Sequence, residues 1–148
     1  MFRRKRQSLQ TLVWNLGWLV LSCIGCSRDF PLQEVTYPAS GSITYQGRPI
    51  PNVEISLFPE DPEFADRVRP KARTDEAGRF ILWTYTPGDG VPSGSYKVTA
   101  IRQELTLSKG TIVARPNELP PKYSSRDTTP LKVQIAKGKN EIPTIEIR

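Results

Sequence analysis

From Ser40 to the end of the chain, apolar side chains recur at every second position in short runs, broken by turn residues at intervals of about 8 to 12. A period of two sends alternate side chains to opposite faces of a strand, whereas a helix needs apolar residues three and four apart. Ile43 and Tyr45 share one face of a first strand, and Val53, Ile55 and Leu57 share one face of a second. Tyr96, Val98 and Ala100 repeat the pattern, and Leu131-Val133-Ile135 and Ile145-Ile147 close it. Fourteen prolines and ten glycines in 148 residues supply the breaks. The chain is therefore expected to be all-β, a β-sandwich or barrel with little helix. Its core is expected from Ile43, Val53, Ile55, Leu57, Phe80, Leu82, Tyr96, Val98, Val133 and Ile145.

The run Thr74-Asp75-Glu76-Ala77-Gly78-Arg79-Phe80 reads as a tight hairpin. Asp75 is placed to accept main-chain N–H groups across the turn, and Gly78 to take a positive φ. Beyond the turn, Phe80, Leu82 and Thr84 fall on one face and Ile81, Trp83 and Tyr85 on the other, and both faces are rather apolar. If Phe80 and Leu82 fill the core, then Ile81, Trp83 and Tyr85 form an outward stripe, a candidate surface for a sugar ring or a protein partner. The irregular segment 103–130 contains Leu105, Leu107, Ile112 and Val113 and a short strand at Thr111–Ala114. Its apolar content is expected to fold back over the stripe and cover it.

The N-terminus has a different character. Arg3, Arg4, Lys5 and Arg6 precede an almost chargeless apolar stretch over residues 9–21, which ends in Ser22-Cys23-Ile24-Gly25-Cys26. This is the order of a bacterial lipoprotein export signal: cations held at the cytoplasmic leaflet, an inserting segment, then small residues before an acylatable cysteine. Cys26 follows Gly25, and Cys23 follows Val20-Leu21-Ser22; both are candidate lipidation sites, with Cys26 favoured. A transmembrane anchor fits less well, because Gln10, Asn15 and Gly17 interrupt a stretch already short of the roughly 20 apolar residues a span needs. The expected organisation is a signal over residues 1–26, a flexible tether over 27–39 containing Pro31 and Pro38, and one β domain over 40–148. The expected location is the cell envelope, on its periplasmic or outer-membrane face, with the membrane as a partner through the lipid.

Charge and composition narrow the chemistry. The chain carries 21 Lys+Arg against 15 Asp+Glu, but the four cations of residues 3–6 belong to the signal. The remainder is close to neutral and shows no clustered basic face, which removes the support for a nucleic-acid partner. The two cysteines stand at positions 23 and 26, so no disulfide staples the domain and a hydrophobic core must hold it; a monomer is expected. The chain contains no histidine, which excludes Ser-His-Asp and Cys-His arrangements and histidine-bearing zinc sites. Asp61, Glu63, Asp66, Asp75, Glu76 and Asp89 are spread over three turns without the ligand spacing of a calcium loop. No catalytic residue, metal or cofactor is expected.

Three stretches carry a family resemblance: Gly41-Ser42-Ile43-Thr44-Tyr45-Gln46-Gly47-Arg48-Pro49-Ile50-Pro51-Asn52-Val53, the hairpin from Thr74 to Phe80, and Gly94-Ser95-Tyr96-Lys97-Val98. Together they resemble the carboxypeptidase regulatory-like domain, above all in the small lipoproteins of planctomycete-type bacteria that carry it alone. Leu119-Pro120-Pro121-Lys122-Tyr123-Ser124 and residues 131–147 resemble the tail of that group. The resemblance implies a seven-stranded, prealbumin-like Greek-key sandwich acting as a non-catalytic structural or protein-interaction module. A carbohydrate-binding module is the alternative, and an enzyme is a remote one. Each matching motif is a turn or a core position, so the resemblance bears on fold and assigns no active site.

Overall fold

The structure is a computed structural model, and it describes residues 33–148. The expected signal, with Cys23 and Cys26, lies outside the described residues, as do residues 27–32 of the expected tether.

Two sheets share one core. The first has four strands in the order β11-β8-β4-β5, with β4 at Glu54–Pro59, β5 at Lys71–Arg73, β8 at Gly94–Ile101 and β11 at Lys132–Ile135. The second is built on β2 at Ala39–Tyr45, which pairs antiparallel with β6 at Arg79–Ile81 and with β3 at Arg48–Pro49. Its other edge carries the C-terminal strands β12, Asn140–Glu141, and β13, Ile145–Ile147, both parallel to β2. Ile43, Phe80 and Ile147 from this sheet meet Ile55, Leu57, Val98 and Ile135 from the other in a single buried cluster. Alternation along the strands delivers those side chains inward, which is the physical basis of the all-β sandwich.

The expected core is largely the observed one: Ile43, Val53 and Leu82 are fully buried, with Ile55, Leu57, Phe80, Tyr96 and Val98 beside them. Val133 and Ile145 are only partly buried, and the neighbours two residues on, Ile135 and Ile147, fill the interior instead. Thirteen strands are present among the described residues rather than seven. The surplus is made of two-residue pieces (β1 at Thr36–Tyr37, β3, β7 at Val91–Pro92 and β12) and a separate hairpin of β9, Leu105–Ser108, with β10, Thr111–Ala114.

Two expectations need correction. The tether does not extend to residue 39: Thr36 and Tyr37 pair with Pro92 and Val91, Ala39 is buried, and the compact unit begins at Gln33. Nor does segment 103–130 cover the outward stripe. Leu105, Leu107 and Ile112 are 71%, 75% and 70% exposed on a ribbon that pairs only with itself. The rest of that segment packs elsewhere, through buried Leu119 and through Tyr123, whose hydroxyl lies 3.3 Å from the Arg148 carbonyl.

Candidate functional site

The hairpin of residues 71–83 forms one wall of an open groove of about 850 Å³. Asp75 makes the turn. Its carboxylate accepts the N–H groups of Ala77 and Arg79, each at 2.9 Å, and its carbonyl accepts the N–H of Gly78, whose φ of 69° suits glycine. An alanine there would also bring its Cβ within 2.6 Å of the Ile43 carbonyl oxygen. These bonds, the Arg79 N–H first, hold the Asp75 carboxyl below its ordinary value against the opposing effect of burial.

Alternation then sorts the hairpin into two faces. Ala72, Thr74, Phe80 and Leu82 are buried, while Lys71, Arg73, Asp75, Arg79 and Ile81 are exposed and Trp83 is half-buried. Ile81 is 65% exposed. Lys71 and Trp83 exchange main-chain hydrogen bonds of 2.8 and 3.0 Å, and the Lys71 ammonium sits 4.3 Å from the Trp83 ring centroid. On the far side of the groove, Gly41 leaves room that a side chain would take from Phe80, since its Cβ would fall 2.8 Å from the ring.

Every charged side chain lining the groove is already paired. Arg79 meets Asp75 at 3.1 Å, Arg73 meets Glu54 at 3.0 Å, and Lys139 meets Glu141 at 2.8 Å. The hydrogen bond from Lys139 holds the Glu141 carboxyl below its usual range. Both groove acids are thus ionised at neutral pH, and neither is tuned as a proton donor there.

The structure brings Ile81 and Trp83 together but takes Tyr85 away. Strand β6 ends at Ile81, and the loop beyond Trp83 is gathered by Asp89, whose carboxylate accepts the N–H groups of Thr84, Tyr85 and Thr86 at 2.7, 2.9 and 3.0 Å. Burial works against the Asp89 charge, yet those donors outweigh it and leave its pKa lowered. Tyr85 turns toward the chain entry, where its hydroxyl oxygen accepts the Glu34 N–H at 2.9 Å. Arg73, Arg79 and Glu141, which the sequence reading did not select, join the site. Arg73 and Arg79 were legible as outward positions of the hairpin; Glu141 arrives from the parallel C-terminal edge, for which no local signal exists. Among the described residues no group of three or more acidic or cysteine side chains is placed to hold a metal ion, and no helix is long and apolar enough to cross a membrane.

No family model matches the chain, and no curated protein matches it. Among solved structures it is similar to a 9R-lipoxygenase from Cyanothece (16% identity, TM-score 0.44), covering 76% of this chain and 16% of that one. It is also similar to a DUF3823 family protein from Parabacteroides merdae (17% identity, TM-score 0.43), covering 78% of this chain and 47% of that one. A third is a protein from Pseudomonas aeruginosa provisionally described as carbohydrate binding, with 14% identity and a TM-score of 0.43, covering 78% of this chain and 90% of that one. The chain thus spans about a sixth of the lipoxygenase and about half of the DUF3823 protein.

Proposed function

We propose that this chain is a non-catalytic, lipid-anchored module of the bacterial cell envelope, of the carboxypeptidase regulatory-like kind, and that it binds through the groove beside Ile81 and Trp83. The observation that carries the reading is the outer face of the 71–83 hairpin. It sets an exposed Ile81 and a half-buried Trp83 among charged groups that are paired with one another. Such a face offers apolar contact area and oriented hydrogen-bonding groups, the ingredients of recognition, without a proton donor or nucleophile tuned for turnover. The lipid anchor rests on Arg3 to Arg6, the apolar stretch and the residues preceding Cys23 and Cys26. Intact-mass analysis of the membrane fraction should show loss of the leader and gain of acyl chains on Cys26 or Cys23; an unmodified full-length chain contradicts the anchor.

The groove is tested by photo-cross-linking in the intact envelope, with a benzophenone side chain placed at position 81 or, for comparison, at 107 in the full chain. A product formed from position 81 and lost with Trp83→Ala supports the reading. A second reading, a protein contact on the β9–β10 ribbon, is favoured by the exposure of Leu105, Leu107 and Ile112. A product formed from position 107 alone selects it.

A further inference from the structure

The 71–83 hairpin has a missing rung. Alternate residues of β5 bond to β4, as Leu57 N–H to the Pro70 carbonyl at 2.8 Å and Thr74 N–H to the Val53 carbonyl at 3.1 Å show; Lys71 and Arg73 therefore direct their main-chain groups the other way. On the opposite limb, Leu82 N–H bonds to the Ala39 carbonyl at 2.9 Å and Ile43 N–H to the Gly78 carbonyl at 2.8 Å, so Arg79, Ile81 and Trp83 direct theirs away from β2. The two limbs thus face one another in a single register. It is closed at one end by the Lys71–Trp83 exchange and at the other by the 2.9 Å bond from Asp75 N–H to the Arg79 carbonyl. Between them Arg73 stands opposite Ile81, and there no pairing forms. The cause is topological: β5 belongs to one sheet and β6 to the other, so the limbs splay where the sheets part. Among the described residues no side chain takes the missing partners' place at Arg73 or Ile81, and both residues line the groove.

We propose that this open rung is a subsite for a neutral carbohydrate, whose hydroxyls bond the main-chain N–H and C=O groups of Arg73 and Ile81 while a C–H face of the ring rests on Trp83 and Ile81. The inference deepens the groove reading of the previous section and rests on it. The open groups are donors and acceptors in equal number. A hydroxyl both donates and accepts, so it satisfies either kind; an anion leaves the carbonyls unmet and a cation leaves the N–H groups unmet. The charges that line the groove at the rung pair off, Arg73 with Glu54 and Arg79 with Asp75, while the Lys71 ammonium lies over the Trp83 ring; the paired charges favour an uncharged ligand while leaving planar groups able to bond neighbouring hydroxyls. A partner peptide strand fits poorly, because strand addition needs several successive open rungs and both flanking ones are closed. Trp83 and Ile81 supply the apolar surface that the less polar face of a sugar ring requires.

Residue-resolved amide exchange on the full chain in detergent micelles tests this, with neutral tetrasaccharides of glucose, N-acetylglucosamine, mannose and galactose as probes and tetragalacturonate as the charged comparison. In the free protein the Arg73 and Ile81 amides should exchange on the order of 100-fold faster than those of Lys71 and Trp83, since only the latter pair is bonded. At least one neutral tetrasaccharide at millimolar concentration should slow both amides about tenfold and shift the Trp83 indole signal, with the slowing lost in Trp83→Ala and kept in part in Trp83→Phe. Exchange in the free protein as slow as the flanking rungs overturns the open rung. Protection by tetragalacturonate alone overturns the neutral class. If no tetrasaccharide protects while position 81 still cross-links in the envelope, the sugar assignment fails and the groove stands. If both are negative, the groove reading fails with it.

Discussion

Lys71 holds Trp83 twice: the two residues exchange both main-chain hydrogen bonds, and the Lys71 ammonium rests 4.3 Å from the centre of the indole. This single rung ties the end of the second sheet's edge strand back to the first sheet, and it fixes the aromatic side chain at the mouth of the groove. Its cation–π part is separable. Lys71→Met keeps the stem and the main-chain rung but removes the charge, and should cost about 0.5 to 1 kcal/mol, the range for an exposed contact. Urea unfolding of Lys71→Met and Lys71→Arg checks it, with the arginine variant near wild type.

The two faces of β6 predict opposite responses to truncation. Phe80 is 3% exposed and Ile81 65%. Phe80→Ala should destabilise by about 3 to 5 kcal/mol through lost burial and the cavity left behind, whereas Ile81→Ala should stay within about 0.5 kcal/mol of wild type. Chemical unfolding midpoints at constant m-value measure both.

Asp89 gives the fold an acid-sensitive joint. Its folded-state pKa lies below the ordinary 3.8, so its contribution is complete above that value and disappears as pH falls through the lower, folded-state value. Asp89→Asn keeps one oxygen acceptor and turns an NH₂ toward main-chain donors, which should cost about 1 to 2 kcal/mol at pH 7. The stability gap between variant and wild type should be constant from pH 7 to about 5 and narrow only below about pH 4.

Gly88 and Gly90 separate backbone strain from steric contact. Both have positive φ, 86° and 93°, but a Cβ at Gly88 meets nothing within 4 Å, while one at Gly90 would lie 2.1 Å from the Tyr37 carbonyl oxygen. Gly88→Ala should cost about 1 kcal/mol, the left-handed penalty alone. Gly90→Ala should cost about 3 kcal/mol or more and weaken amide protection across the Tyr37–Val91 pairing, read by hydrogen exchange.

The local features were legible and the non-local ones were not. Asp75 and Gly78 announce their turn because a short acceptor and a φ-tolerant residue leave few alternatives. The inward placement of Phe80 and Leu82 follows from period two as long as a strand lasts. Tyr85 escaped the stripe because Asp89 ends the extended chain just after Trp83, a capture made by three main-chain N–H groups that alternation does not see. Thr36 and Tyr37 read as tether because their partners, Val91 and Pro92, lie more than fifty residues away. Thr111–Ala114 was visible as a strand, but its pairing with Leu105–Ser108 leaves Leu105, Leu107 and Ile112 exposed, where they were expected to cover the outward stripe. The gap between Arg73 and Ile81 depends on which sheet each limb joins, and no run of residues encodes that alone.

The outer face of the 71–83 hairpin, proposed above as the binding surface, is tested most directly by a map of amide and indole shifts on the ¹⁵N-labelled full chain as solubilised bacterial envelope is titrated in. Perturbations should concentrate on Arg73, Asp75, Arg79, Ile81 and the Trp83 indole, with Leu105 to Ala114 unmoved and the whole effect lost in Trp83→Ala. Perturbations confined to residues 105–114, or equally large in Trp83→Ala, contradict it.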